Sequence, residues 1–225
     1  MPFAGHFAVR PASSPCSPLV VLFADEGEGE AVARILDACG APDHTLAAVS
    51  VPDWNADLSP WKAEKVYKQG GDFAGGADKF LADVTRDLLP RLAVDYALSP
   101  VFTAAAGYSL AGLFAVYALW RTAAFSRVCS ASGSFWFPGF ADFVKTHAPV
   151  RLPDRLYLSL GDKEAQTRHP VMRTVADGTR EVETFFRAKG VPVTFEWNEG
   201  GHFKDAPQRL AKGIAAILAD QGGRI

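Results

Sequence analysis

Val101-Phe-Thr-Ala-Ala-Ala-Gly-Tyr-Ser-Leu-Ala-Gly-Leu-Phe-Ala-Val-Tyr-Ala-Leu-Trp120 is the stretch on which the reading of this chain turns. Residues 101–106 are an apolar run of strand length, and residues 113–120 read as an apolar helix. Only Gly107-Tyr108-Ser109-Leu110-Ala111-Gly112 lies between them, so strand must pass into helix through a very tight turn with Ser109 at its apex. Such a turn lifts one hydroxyl off the end of a sheet. It also leaves that hydroxyl at a helix N-terminus, where unpaired backbone N–H groups favour negative charge. The spacing is that of a strand–serine–helix nucleophile elbow, G-x-S-x-G, with Ala111 in the last place and a glycine one step later at Gly112. A methyl is tolerable at so crowded a position; a larger side chain is not.

Outward from this stretch, strand and helix signals alternate. Strands are expected at 7–10, 19–23, 45–51, 127–131, 155–160 and 191–197, and helices at 31–38, 77–92, 171–189 and 207–219. Asp25-Glu26-Gly27-Glu28-Gly29-Glu30 supplies acidic groups to a helix start, and Gly40 and Gly190 supply stops. The glycine-rich run from Gln69 to Gly76 reads as a mobile segment. Strands apolar along their whole length imply a mostly parallel central sheet with helices on both faces. In such sheets ligands bind beyond the carboxyl ends of the strands, so the loops there carry the chemistry. No repeat, low-complexity block or linker divides the chain, and residues 1–225 read as one α/β domain with a minimal lid or none.

Composition sets bounds on partners. The net charge is −2, from 23 basic and 25 acidic residues. That balance gives no electrostatic footprint for nucleic acid or an anionic membrane. No apolar run is long enough to span a bilayer, and Met-Pro-Phe-Ala-Gly-His lacks the features of a signal peptide. Cys16, Cys39 and Cys129 are odd in number and widely spaced. They suggest a reduced, cytoplasmic setting without disulfides. A homodimer is compatible with all of this.

A serine hydroxyl needs a base, and the base needs an orienting group. Of His6, His44, His147, His169 and His202, the last is best placed. It follows the final expected strand through Asn198-Glu199-Gly200-Gly201, and two glycines allow a turn back over the sheet edge. The orienting acid is expected in Gly161-Asp162-Lys163-Glu164, where both Asp162 and Glu164 qualify. The chain order Ser, Asp/Glu, His is that of α/β-hydrolases. An oxyanion formed at Ser109 needs donors. The backbone N–H of Leu110 is one, and Ala24 or Asp25, after the strand at 19–23, is expected to give the second.

Gly-Tyr-Ser-Leu-Ala-Gly at 107–112, Ser-Gly-Ser-Phe-Trp at 132–136, Leu-Ser-Leu-Gly-Asp-Lys-Glu at 158–164 and Gly-Gly-His-Phe at 200–203 together resemble the esterase branch of the α/β-hydrolases. That branch includes esterase D and the ferric-enterobactin esterases. The resemblance implies the α/β-hydrolase fold and hydrolysis of a small-molecule carboxylic ester or thioester through an acyl-enzyme. In that superfamily the acid often stands three residues after a glycine at this strand end, which favours Glu164. The long insertions and extra N-terminal domain found in some members are not expected in this chain.

Tyr108, Trp54, Trp61, Phe135, Trp136 and Phe137 fall on the same expected edge and could wall an apolar substrate pocket, or pack loop onto loop. Metal-ligand spacing, a dinucleotide fingerprint and a P-loop are all missing, so no metal or cofactor is implied. The competing function class is a non-catalytic α/β-hydrolase-fold protein that binds a ligand or partner.

Overall fold

The structure is a computed structural model that describes residues 3, 5–66 and 71–219. Met1, Pro2, Ala4, Gln69 and Gly70 lie outside the described residues. The chain opens with β1 (Phe7–Arg10) and β2 (Leu19–Ala24), then α1 (Glu28–Ala38) and β3 (Thr45–Ser50). One helical turn, α2 (Trp54–Asp57), and a two-stranded ribbon, β4 (Lys62–Ala63) with β5 (Phe73–Ala74), follow. Next come α3 (Ala77–Asp83), a π-helical turn (Val84–Leu88), α4 (Leu89–Asp95), β6 (Thr103–Tyr108) and α5 (Leu110–Tyr117). The remainder is β7 (Arg127–Ala131), α6 (Phe140–Thr146), β8 (Arg155–Gly161), α7 (Val175–Ala188), β9 (Val193–Asn198) and α8 (Ala206–Leu218).

Seven strands form one sheet in the order β1-β3-β2-β6-β7-β8-β9. Only β1 runs antiparallel to its neighbour, and every other pairing is parallel. β2 shows why the inner strands read as unbroken apolar runs. Leu19, Val21 and Phe23 face a core shared with α3, α5, α6 and α7, while Val20, Leu22 and Ala24 face a core built with α1 and α8. Both faces of the strand are buried, so period-two alternation disappears from the sequence.

The departures from expectation have local causes. The strand before the elbow starts at Thr103, and Val101 is 71% exposed in the approach to it. The helix after the elbow begins at once, at Leu110. The long helix expected at 77–92 is interrupted by the π turn just before Pro90, which has no N–H to donate and crowds the preceding turn. α2, the ribbon and α6 escaped notice because an element of two to seven residues shows too little of any period.

β6 occupies the middle of the sheet, and its small residues bring α5 close. A Cβ built on Gly107 would stand 2.4 Å from the carbonyl carbon and oxygen of Ala111. One on Gly112 would stand 2.8 Å from Ser130 Oγ and 3.0 Å from the Gly107 carbonyl oxygen. Glycine at both places is therefore a packing requirement. Gly107→Ala should lower stability by about 1–3 kcal/mol, because the obstacle is backbone that cannot rotate away. Urea unfolding would show it; a midpoint unchanged from wild type would mean that strand and helix can separate freely.

Candidate active site

Ser109 holds φ 57° and ψ −123°, a left-handed conformation unusual for a residue with a Cβ. Its backbone is tied on every side. The Ser109 N–H donates to Ala131 O at 3.1 Å, and Ser109 O accepts from the N–H groups of Leu113 and Ser134. Leu110 is the first residue of α5, where a backbone N–H has no acceptor within the helix.

His202 comes from the loop after β9, three strands from β6, so the loop must fold back across the sheet edge. Gly200, at φ +97°, makes the reversal. The Gly200 N–H donates to Asp162 Oδ1 at 2.6 Å, and Gly200 O accepts from the Lys163 N–H. Tyr108 Oη donates to His202 O at 2.6 Å, which fastens the returning loop to the end of β6. The result sets His202 Nε2 3.0 Å from Ser109 Oγ, and Nδ1 2.7 Å from Glu164 Oε2. With Nδ1–H donating to the carboxylate, Nε2 is free to accept from the serine hydroxyl. The imidazole remains about a quarter exposed, open to an incoming ligand.

Glu164 is buried, and each of its oxygens is occupied. Oε2 faces His202; Oε1 accepts from Ser132 Oγ at 2.7 Å, Gly161 N–H at 2.7 Å and Arg209 Nη1 at 3.2 Å. Burial alone would raise its pKa. The hydrogen bond and charge of His202, then the Ser132 hydroxyl and the Gly161 amide, outweigh burial and leave the carboxyl below the ordinary glutamate range. Asp162 points elsewhere and serves as the turn residue that pins Gly200. The two carboxylates left open by the sequence are thus separated by a one-turn reversal, in which the Glu164 N–H returns to Gly161 O.

Three further residues belong to the constellation and were not singled out from the sequence. Ser134 Oγ lies 3.2 Å from Ser109 Oγ. Ser132, at φ 47°, aims its hydroxyl at Glu164. Arg209 reaches Glu164 from α8. The glycine in Ser132-Gly133-Ser134 was the available signal for the first two, since a Cβ at Gly133 would meet Ser130 Oγ at 2.4 Å.

Phe135, Trp136 and Phe137 are buried in the core, and Trp54 and Trp61 pack against it. Trp61 lies against Phe137, Phe140 and Phe143, with its indole N–H on Pro138 O. Trp61 and Phe135 pack against Phe140 of α6, while Trp136 and Phe137 meet Phe73 of β5; Tyr108 serves as a loop anchor. Of the expected oxyanion donors, the Asp25 N–H is engaged by Glu28 Oε2 at 3.1 Å, and Ala24 closes β2. The remaining histidines lie apart from Ser109. His44 is buried beside Pro42 ahead of β3, His147 stacks on Phe143, and His169 receives the Met172 N–H. His6 is tied to the edge of the sheet, since its carbonyl accepts from Ser50 N–H. Among the described residues no group of His, Cys, Asp and Glu could hold a metal ion, and no helix is long and apolar enough to cross a membrane.

A central strand ending in a serine elbow, within a mostly parallel sheet covered by helices on both faces, defines the α/β-hydrolase fold. The chain belongs to the esterase family: residues 22–206 match the family model described as "Putative esterase". The uncharacterized protein YbbA of Bacillus subtilis (strain 168) is 23% identical over 152 residues, which are 66% of this chain and 61% of that protein. The chain thus spans about three-fifths of the length of this curated relative. An IroE-like serine hydrolase from Shewanella oneidensis superposes with a TM-score of 0.78 at 18% identity, covering 95% of this chain and 75% of the other. The siderophore hydrolase EstA of Aspergillus nidulans gives 0.68 at 21% identity, covering 92% and 84%. At these identities the likeness is one of fold.

The lowered pKa of Glu164 makes stability depend on pH. Its contribution is complete above the ordinary glutamate value and is lost as pH falls through the lowered folded value. Glu164→Gln should therefore melt below wild type near neutrality, and the gap should narrow and close as pH falls below the ordinary glutamate range. Melting curves of both proteins across that range test this; a gap independent of pH would show that the carboxylate is not held ionised.

Proposed function

We propose that this chain is a serine esterase that hydrolyses a small-molecule carboxylic ester or thioester through an acyl-enzyme. One observation carries the reading: the continuous chain Ser109 Oγ, His202 Nε2, His202 Nδ1, Glu164 Oε2, with links of 3.0 and 2.7 Å, begins on a strained elbow at a helix N-terminus.

The chemistry follows from the order of these groups. Ser109 Oγ attacks the substrate carbonyl as its proton passes to His202 Nε2. Glu164 accepts the Nδ1–H and stabilises the imidazolium that forms. The negative charge on the carbonyl oxygen falls beside the Leu110 N–H, and Ala24 is the proposed second donor, since the Asp25 amide is taken by Glu28. Collapse breaks the bond to the alcohol or thiol, which leaves with the proton from Nε2. Water then attacks the acyl-enzyme, gives one proton to Nε2, and releases the acid as Ser109 regains its hydrogen. Residues 1–225 act in this reading as a single domain.

The competing reading, a non-catalytic binder of the same fold, predicts an inert serine. A fluorophosphonate probe separates the two. It should label wild type rapidly and Ser109→Ala not at all. On a panel of p-nitrophenyl and naphthyl esters graded by acyl length, Ser109→Ala should lose on the order of 10⁶-fold in kcat while keeping its melting temperature. A siderophore ester belongs in that panel, because a siderophore hydrolase shares the fold. Near-wild-type turnover by purified Ser109→Ala would remove the proposal.

A further inference from the structure

Arg209 is only 3% exposed, in the first turns of a helix whose other buried residues are apolar or glycine. A guanidinium is kept in such a place only by a full set of acceptors. Nη1 meets Glu164 Oε1 at 3.2 Å, with Tyr108 Oη and Ser132 Oγ each at 3.4 Å. Nη2 donates to Glu199 O at 2.8 Å and Gly201 O at 3.1 Å. The two carbonyls belong to the loop that carries His202. The arginine therefore touches the orienting acid with one nitrogen and the base's loop with the other, and it reaches neither Ser109 nor the imidazole.

We propose that Arg209 is a positioning residue for the esterase reaction: its guanidinium holds Glu164 as a carboxylate aimed at His202, and the carbonyls of Glu199 and Gly201 anchor the guanidinium for that task. The inference rests on the serine-esterase reading and extends it to a residue outside the triad. The charged and titratable groups around the pair are few. Tyr108 faces it from β6; Asp162 and Lys163 share the loop after β8. Glu199, Lys204 and Asp205 flank His202, with Glu199 and Lys204 paired to each other at the surface. Of these cations, Arg209 is the one in contact with the buried carboxylate.

The sign of its effect is fixed by charge. A cation beside a buried carboxylate favours the ionised form, so its removal raises the pH at which the acid takes up a proton. The acidic limb of kcat/KM reports loss of the working protonation state of the free enzyme, which includes the ionised Glu164. Arg209→Met should move the acidic limb to higher pH by about one unit, while Arg209→Lys, which keeps the charge, restores the wild-type limb. A merely structural role would lower activity at all pH values without moving the limb.

Arg209→Met leaves a buried carboxylate without its cation, which destabilises the fold, whereas removing both charges relieves that penalty. The double variant Glu164→Gln/Arg209→Met therefore gives a second, independent test. If Arg209 acts through Glu164, the double variant retains the kcat/KM of Glu164→Gln to within about threefold. The closing experiment measures fluorophosphonate labelling of wild type, then pH profiles of wild type, Arg209→Met and Arg209→Lys, and kcat/KM for Glu164→Gln and the double variant. A wild type that resists the probe overturns the esterase reading and this inference with it. With wild type labelled, an unmoved limb in folded Arg209→Met overturns the role of Arg209 alone. Where Arg209→Met does not fold, a further tenfold loss in the double variant relative to Glu164→Gln does the same.

Discussion

The backbone of Ser109 is the constraint around which the molecule is arranged. A non-glycine residue held at φ 57° costs about 1–3 kcal/mol, and it persists only where its surroundings leave no alternative. Here both of its peptide groups are bound: the N–H to the end of β7, and the carbonyl to both α5 and the Ser132–Ser134 turn. The residues on either side are small because they must be. Ala104, Ala105, Ala106 and Gly107 make the central strand slim, and Ala111 and Gly112 let the helix close on it. The strain is thus held by packing in the middle of the sheet, where local relaxation would disturb both cores.

Burial of a carboxylate is the second constraint, and it explains residues that the first does not. Glu164 gives His202 a fixed partner only if it stays charged in a site from which water is excluded. Its ionisation is supported by an amide, a hydroxyl, the imidazole and a guanidinium. Gly161 has no room for a side chain, since a Cβ there would stand 2.3 Å from Gly200 O and 2.9 Å from Glu164 Oε1. The loops after β8 and β9 are therefore fitted to each other through glycine, and that fit carries the acid and the base together.

These constraints also account for what could be read from the sequence. The chain order of the candidate site, Ser109 then Glu164 then His202, was visible because glycines mark the turns that bring these residues to one sheet edge. Glu164 and Asp162 were not separable by spacing, since either carboxylate can leave a tight turn; the choice is made by the direction in which the chain turns after Gly161. Arg209 was invisible for a different reason. An arginine near the start of an amphipathic helix reads as solvated, and its burial becomes tolerable through Glu164, forty-five positions earlier, and the carbonyls of Glu199 and Gly201. The aromatics at 135–137 left two readings open because an apolar residue at a strand end signals burial but not which surface it is buried against. The packing partners Phe140 and Val144 come from α6, a helix too short to be read from periodicity.

The alignment of Ser109, Glu164 and His202 finally depends on sheet register. Tyr108 pairs with Ala131, Ala131 with Ser159, and Ser159 with Glu196, so the carboxyl ends of β6 to β9 are drawn to one level. Ser109 and Glu164 start two strands apart, and His202 starts three strands from Ser109. Neighbouring strands lie about 4.8 Å apart. The imidazole must therefore cross on the order of 10 Å to lie between its partners, with a tolerance of a few tenths of an ångström. A slip of one residue along any strand would move its loop by about 3.3 Å and turn its side chains to the opposite core. Because both faces of β6, β7 and β8 are packed, no such slip of these strands leaves the interior filled, while β9 is the half-exposed edge strand. The same double burial that hides alternation in the sequence thus fixes the levels of Ser109 and Glu164, and the Tyr108 and Asp162 contacts bring the His202 loop to them.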